Sequence, residues 1–237
     1  MNAELLDDKR KGGAPMVVDW LANRIEHAVL SSEATEKDVA AGARVALRWG
    51  VRSLVVKPCH VKAAAQLLAG TKVRVVTVVG FPHGGHTAQV KGAETRQAVA
   101  DGAQEIDMVL NVAYLKERRT RDIWYEIRSV VCAARPRPVK VILETAYLTD
   151  AEKRLACRVA ARAGAAYVKT STGFAPEGAT IKDVTLMRRV VGRQLGIKAS
   201  GGIRSFPLAM ALIHVGADLI GTSSTDAILR AATEEAA

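Results

Sequence analysis

The sequence predicts a single (β/α)8 barrel, and three observations support this fold class. Short β-branched runs alternate with amphipathic segments along the 237 residues, a pattern typical of strand–helix units. Runs such as Val73–Val79 and Val139–Leu143 are apolar on both faces, as are strands covered by helices in a parallel sheet. Eight such units recur at spacings of roughly 20–35 residues, which favours a closed barrel over a doubly wound sheet. No GxGxxG or GxxxxGKS/T motif supports a nucleotide-binding alternative.

The eight predicted strands are Arg24–Leu30, Ser53–Lys57, Val73–Val79, Glu105–Leu110, Val139–Glu144, Ala166–Thr170, Ile197–Ser200 and Asp218–Gly221. Helix signals lie between them. Thr149 and Glu152 form a capping box that begins one helix, and Gly164 is placed to end it. We expect residues 1–23 to form a short helical extension that precedes the barrel and closes its lower end. Residues 1–237 are therefore expected to form one domain.

Composition and cysteine usage predict a cytoplasmic protein that does not enter a membrane. No apolar run approaches the ~20 residues that a membrane-spanning helix needs, and the polar start of the chain lacks the apolar region of a signal peptide. Cys59, Cys132 and Cys157 are scattered and form no CxxC pair. This pattern fits a reducing compartment and argues against disulfides or a zinc knuckle.

The net charge of +10 raises the question of nucleic-acid binding, which the distribution of the charge disfavours. Arginines are spread over the predicted helices and are not collected in one stripe with aromatic residues between them. The one dense cluster, residues 116–121, is typical of a solvated loop. A basic surface of this kind would attract a phosphorylated small molecule by electrostatic steering.

Two lysines at the ends of neighbouring predicted strands indicate amine chemistry. Lys169 and Lys198 each follow an apolar run and precede small residues and glycine. Adjacent parallel strands lie about 4.8 Å apart, so two side chains at matching levels interact strongly. Like charges held together disfavour protonation, which would leave one lysine as a free amine near neutral pH. A free amine in a cleft attacks carbonyl carbons and forms an imine.

Other polar residues collect at the same predicted end of the barrel, where the chemistry of such barrels takes place. Asp107 faces inward from a strand that is otherwise apolar at Ile106 and Met108, and an inward carboxylate is most economical when paired with Lys198. Such a carboxylate could relay protons during imine formation and hydrolysis. The residues found at this end are Glu26, His27, Lys57, Asp107, Asn111, Glu144, Lys169, Lys198, Gly221 and Ser223.

Glycine-rich loops follow the last three predicted strands and indicate a phosphate site. Gly173, the pair Gly201 and Gly202, and Gly221 with Ser223 occupy these loops. Glycine lets backbone N–H groups approach an anion, and barrels often bind phosphate on their late loops. His83 and His86 form the one close histidine pair and have no carboxylate nearby, so we expect no metal site.

Several motifs in order resemble the deoxyribose-phosphate aldolase family, whose members are class I aldolases with a (β/α)8 barrel. The resemblance runs from about residue 25 to 224. Its most specific segments are Glu105–Val109, Lys140–Thr145, Val168–Phe174 and Lys198–Ile203, and Gly80–Pro82 and Gly221–Ser223 also fit.

The resemblance implies reversible cleavage of 2-deoxy-D-ribose 5-phosphate to D-glyceraldehyde 3-phosphate and acetaldehyde. It implies that Lys169 forms the imine, that Lys198 perturbs the pKa of Lys169, and that Asp107 relays protons. It requires no metal or organic cofactor, and we expect a homo-oligomer, either a dimer or a tetramer. The implied substrate- and phosphate-binding residues are Thr170, Gly173, Gly201, Gly202, Gly221, Ser223 and Glu26.

The first two strands depart from the family pattern. The family usually has Ile-Asp-His-Thr in the first strand and Val-Cys-Val-Asn-Pro in the second, whereas this chain has Glu26 and Ala28, then Val55 and Lys57. The resemblance places these positions at the substrate mouth. Two alternatives therefore stay open: a related class I aldolase with altered substrate specificity, and a non-catalytic phosphosugar-binding barrel.

Overall fold

Eight parallel strands close into a barrel in the computed structural model, which describes residues 16–235. Each strand pairs with the next in sequence, and β8 pairs with β1. The strands are β1 (Ile25–Val29), β2 (Ser53–Val56), β3 (Arg74–Val79), β4 (Glu105–Val109), β5 (Val139–Ile142), β6 (Tyr167–Lys169), β7 (Gly196–Ser200) and β8 (Leu219–Thr222). This closed order confirms the predicted (β/α)8 fold.

Helices cover the outside of the barrel, and short 3-10 turns at Pro58–His60 and Thr145–Tyr147 follow β2 and β5. In the described part of the chain, every helix is too short or too polar to cross a membrane. The helices are α1 (Met16–Ala22), α2 (Glu36–Trp49), α3 (Val61–Leu67), α4 (Ala88–Ala100), α5 (Val112–Lys116), α6 (Thr120–Ala134), α7 (Asp150–Ala163), α8 (Ile181–Val191), α9 (Phe206–His214) and α10 (Thr225–Glu235).

Local sequence signals account for the helix boundaries. The Thr149 hydroxyl accepts a hydrogen bond from the backbone N–H of Glu152, as the capping box predicts, and Gly164 ends α7 in the left-handed conformation. Helix α1 falls within the predicted extension, of which residues 1–15 lie outside the described range. The carbonyl of Ala22 accepts a hydrogen bond from the backbone of Arg52, just before β2, so α1 lies at the amino-terminal end of the strands.

The inside of the barrel is divided into an apolar part and a charged part. Val55, Val76 and Val78 form a small buried cluster on β2 and β3, and Ala28 and Phe81 pack against it. The inward positions of β4 to β7 carry charged side chains, which are costly to bury unless they are paired. The buried charged residues of the strands are Glu26, Glu105, Asp107, Lys140, Lys169 and Lys198.

A buried ion pair outside the barrel holds the carboxyl end of β4. The Lys91 Nζ atom lies 2.8 Å from a carboxylate oxygen of Glu126 and donates a second hydrogen bond to the carbonyl of Val109. The other carboxylate oxygen of Glu126 accepts a hydrogen bond from the backbone N–H of Asn111. Helices α4 and α6 thus fix the backbone two residues beyond Asp107.

Replacing Lys91 with Met is expected to lower the free energy of unfolding by about 3–5 kcal/mol, because it leaves the Glu126 carboxylate buried without its counter-charge. Urea denaturation followed by circular dichroism measures this change. The matched control is Lys116→Met, which breaks an ion pair with Glu152 that is open to solvent and is expected to cost less than about 1 kcal/mol. An equal loss in the two variants would contradict the role assigned to the buried pair.

Candidate active site

Lys169 and Lys198 meet inside the barrel, as the sequence predicts. They are directly paired residues of β6 and β7, and both side chains are buried. Their Nζ atoms donate to the same carboxylate oxygen of Asp107, at 2.9 Å from Lys169 and 2.7 Å from Lys198. The expected pairing of Asp107 with Lys198 is therefore present, and Asp107 also contacts the proposed nucleophile.

Burial lowers the pKa of Lys169 to about 8. The Asp107 carboxylate acts in the opposite direction, and the positive charge of Lys198 acts in the same direction as burial. The sequence correctly indicated a contribution from Lys198, but the principal cause is the removal of Lys169 from water. Much more free amine is consequently present near neutral pH than for a lysine at its usual pKa of about 10.4.

A third buried lysine, Lys140 on β5, completes the cluster and was missed as a site residue in the sequence. Its Nζ atom lies 3.0 Å from Asp107, 2.7 Å from Glu105 and 3.3 Å from Glu26. Burial alone would lower the pKa of Lys140, but these three carboxylates together raise it. Lys140 therefore stays positively charged. The sequence signal that could have identified it as a site residue is a lysine between Val139 and Val141 in a strand predicted to be buried.

Asp107 remains a carboxylate in this surrounding. Burial would raise its pKa, but the positive charges of Lys140, Lys169 and Lys198 hold the pKa well below its usual range. Each of the two oxygens accepts at least one hydrogen bond from a lysine. The carboxylate thus fixes the position of all three ammonium groups.

Glu26 was predicted to bind substrate, and the structure places its side chain among the buried charges of the barrel. Its carboxylate is fully buried and accepts a short hydrogen bond from the Nζ atom of Lys198. The other oxygen lies 3.7 Å from the guanidinium of Arg52, on the side of the barrel away from the mouth. Glu26 is absent from the wall of the mouth cavity and acts as a counter-charge to Lys198, so that its contact with substrate stays a prediction.

The mouth of the barrel is a cavity of about 530 Å³ above the lysine cluster. Lys169 and Lys198 form part of its wall together with the five predicted loop residues Gly173, Gly201, Gly202, Gly221 and Ser223. Sequence reasoning missed several further lining residues on the same late loops. These are Thr172, Ser200 and Arg204.

Two other predicted positions lie outside the mouth. Thr170 was expected to bind substrate, but its hydroxyl donates to the carbonyl of Ser200 and accepts from the N–H of Ser200, each at 3.0 Å. Alternation along the chain turns Thr170, which follows β6, away from the interior that Lys169 faces.

Lys57 donates to the carbonyls of Ser32 and Ala34 and so holds the loop after β1 in place. The ammonium group of Lys57 is therefore hydrogen-bonded to the backbone of the protein itself.

Glu144 holds the loop after β6 in place, a role that the sequence did not predict. Its backbone has a φ of 56°, in the left-handed region, which is unfavourable for a residue with a side chain. The carboxylate accepts hydrogen bonds from both the backbone N–H and the hydroxyl of Thr172. Burial raises the pKa of Glu144, and the bonds from Thr172 oppose this. Thr172 is thereby fixed in the wall of the mouth.

The histidine pair gives no sign of a metal site. His83 lines a separate cavity of about 260 Å³ beside Phe174. Within residues 16–235, no group of three or more His, Cys, Asp or Glu side chains could hold a metal ion. That no metal takes part in the chemistry stays a prediction.

The fold defines a (β/α)8 barrel, and its mouth holds a buried lysine with a lowered pKa, as in enzymes that use a lysine amine. The family described as DeoC/LacD family aldolase matches residues 21–231, and the chain belongs to this family.

Individual relatives agree with this assignment. Deoxyribose-phosphate aldolase 1 of Bacillus licheniformis is 46% identical over 91% of this chain and 97% of its own length. A deoxyribose-phosphate aldolase of Methanothermobacter thermautotrophicus is 50% identical over 86% of this chain and 91% of its own. Among solved structures, the tetrameric deoxyribose phosphate aldolase of Aeropyrum pernix has a TM-score of 0.87 at 33% identity, covering 92% of this chain and 93% of its own.

Replacing Gly221 with Ala is expected to lower the aldolase kcat on the order of 100-fold, because small displacements of catalytic groups cost this much. A Cβ atom at Gly221 would lie 2.8 Å from Cε of Lys198 and 3.0 Å from Cβ of Ser200, so Lys198 would have to move. Steady-state kinetics measures the effect. Gly85→Ala is the control, since a Cβ atom there meets nothing within 4 Å. Equal activity in the two variants would contradict this role for Gly221.

Proposed function

We propose that this protein reversibly cleaves 2-deoxy-D-ribose 5-phosphate to D-glyceraldehyde 3-phosphate and acetaldehyde through an imine on Lys169. The observation that carries the proposal is the state of Lys169, a buried amine with a pKa of about 8 in the wall of the barrel mouth. A lysine with this pKa is unprotonated more often near neutral pH than an ordinary lysine, and its free amine can attack a carbonyl carbon. The names of the relatives support the choice of substrate.

The reaction begins when the Lys169 amine attacks the C1 aldehyde of the open-chain sugar. Loss of water from the carbinolamine gives a protonated imine, which withdraws electrons from the bond between C2 and C3. Removal of the proton from the C3 hydroxyl then breaks this bond, so that C3 to C5 leave as D-glyceraldehyde 3-phosphate. Protonation of the remaining two-carbon enamine at C2, followed by hydrolysis of the imine, releases acetaldehyde and restores Lys169.

Asp107 and Lys198 are proposed to handle protons and charge during these steps. Asp107 lies within hydrogen-bond distance of the Nζ atoms of both Lys169 and Lys198, the position that a proton relay at the carbinolamine requires. Lys140 keeps Asp107 ionised, because its ammonium lies 3.0 Å from the other carboxylate oxygen. The relay therefore starts from a carboxylate that can accept a proton.

The substrate phosphate is proposed to bind on the late loops. Gly201 and Gly202 both have positive φ angles, a conformation in which glycine lets the backbone N–H groups face an anion. Ser223 lies just before the amino-terminal end of α10 (Thr225–Glu235), and Arg204 lines the same cavity. The dipole of α10 and the charge of Arg204 both favour a phosphate group at this place.

The related aldolase with altered substrate specificity is the second candidate, and one observation favours it. Ala28 and Val55 line the mouth and continue the apolar cluster of β2 and β3. This wall offers no side-chain hydroxyl or thiol to a substrate. A substrate with an alkyl group in place of a hydroxyl would match it better.

We also propose that the protein is a cytoplasmic homo-oligomer. The tetrameric state of the A. pernix relative supports assembly, and most soluble oligomers are homo-oligomers with closed symmetry. The three free cysteines, of which Cys59 and Cys132 are exposed, support a reducing compartment.

Incubation with 2-deoxyribose 5-phosphate and sodium borohydride is expected to leave a reduced adduct on Lys169, located by mass spectrometry of peptides. Lys169→Met is the control and should carry no adduct. Absence of an adduct on the unaltered protein would overturn the imine proposal. An adduct without release of acetaldehyde would favour the non-catalytic binding protein, and faster trapping with another aldehyde would favour the related aldolase.

Replacing Lys198 with Met is expected to move the acidic limb of the kcat/KM profile to higher pH. The charge of Lys198 lowers the pKa of Lys169, so its removal raises that pKa and leaves less free amine at neutral pH. Activity near pH 7 should fall on the order of tenfold and recover in part as pH rises. Lys62→Met, at an exposed position of α3, is the control. An unchanged acidic limb would reject the electrostatic role of Lys198.

A further inference from the structure

A second large cavity opens at the amino-terminal ends of the strands, opposite the mouth. Its volume is about 620 Å³. Several residues in its wall either precede a strand or begin one, among them Arg24 before β1, Arg52 before β2, and Tyr167 at the start of β6. The cavity shares no lining residue with the mouth. Nothing in the proposed aldol reaction uses it.

The wall of this cavity is strongly basic. Four arginines line it, namely Arg24, Arg52, Arg188 and Arg193, and the one acidic lining residue is Asp218. Asp218 is neutralised by an ion pair with Arg188. Arg52 is paired with Glu105 and Glu26, so Arg24 and Arg193 are the two lining guanidinium groups without a carboxylate partner in the described part of the chain, and their charges attract anions.

The hydrogen-bonding capacity of these arginines is unevenly used. Arg188 donates to the carbonyls of Gly192, Leu195 and Gly216 as well as to Asp218, so its role is structural. In contrast, Arg193 makes no hydrogen bond or ion pair with any residue of the described range 16–235. Its five N–H donors are available to a ligand.

Arg24 is held in place without losing most of its donors. Its guanidinium lies 4.0 Å from the centre of the Trp20 ring, an arrangement that restrains the side chain by a cation–π interaction. One nitrogen donates to the carbonyl of Trp20, which leaves the other N–H groups free for a ligand. A restrained guanidinium loses less conformational entropy when it binds an anion.

The floor of the cavity lies next to the catalytic cluster. The Tyr167 ring lies 6.0 Å from the Nζ atom of Lys140, and the absence of a side chain at Gly196 makes room for that ring. Arg52 donates to Glu105 and lies 3.7 Å from Glu26. Arg52 therefore links the wall of this cavity to the carboxylates that hold Lys140 and Lys198.

We propose that this cavity is a second binding site for a small molecule with two or more phosphate charges. Arginine guanidinium groups bind phosphate oxygens through paired N–H donors, and several arginines around one space favour a ligand that carries several anionic oxygens. The site is separate from the one that binds the substrate phosphate.

Isothermal titration of the full chain with sodium pyrophosphate tests this proposal. The affinity should fall by roughly tenfold or more in the double variant Arg24→Ala/Arg193→Ala, because each guanidinium contributes charge-assisted hydrogen bonds. It should be unchanged in Arg154→Ala/Arg158→Ala, which removes the same charge from exposed positions of α7. Retention of the unaltered melting temperature without ligand would show that the variants fold.

A third variant separates this site from the mouth. Arg204→Ala removes the arginine of the mouth and should leave pyrophosphate binding at the second cavity intact. Pyrophosphate should also raise the melting temperature of Arg204→Ala by more than that of Arg24→Ala/Arg193→Ala. The proposal is overturned if pyrophosphate does not bind, if only Arg204→Ala weakens it, or if all three variants weaken it equally.

Discussion

The carboxylate of Asp107 is the interaction on which the interior of this barrel depends. It accepts hydrogen bonds from Lys140, Lys169 and Lys198, which come from three successive strands. Without this negative charge, three buried ammonium groups would face one another in a space from which water is largely excluded. The same carboxylate opposes the effect of burial on Lys169, so that the pKa of this lysine falls to about 8 and no further.

Two further buried carboxylates, those of Glu26 and Glu105, surround the cluster that Asp107 organises. Glu26 and Glu105 contact Lys140 and, through Arg52, reach the amino-terminal end of the barrel. Charged groups buried in this way must all be satisfied, because one unpaired member costs several kcal/mol, on the order of 3–5. The interior of β2 and β3 is apolar, so no buried charge needs a partner on that side of the barrel. Lys169 therefore shares the mouth with the apolar residue Val55 on one side and with the glycine-rich late loops on the other.

The alternation of strand-like and helix-like segments was enough to predict the barrel and its eight strands, and the position of Lys169 and Lys198 at the ends of neighbouring strands was enough to predict that they meet. Alternation along β5 and β6 would also have predicted that Lys140 points into the barrel and that Thr170 points away from it. The contacts of Glu26 with Lys140 and Lys198 could not be predicted, because they depend on the stagger between strands as the barrel closes. The left-handed backbone of Glu144 also has no signal in the sequence, since glycine is the residue expected there.

The buried ion pairs around Lys140 have a consequence for the engineering of this protein. Apolar residues of similar volume in place of a whole buried ion cluster often make a protein more stable. A search for thermal stability alone would therefore favour sequences in which Glu105 and Lys140 are both lost. Such sequences would keep the barrel and lose the positive charge of Lys140, which lowers the pKa of Asp107 beside Lys169. Selection for heat resistance and selection for turnover act on the same side chains in opposite directions, and libraries built on this scaffold need to screen for both.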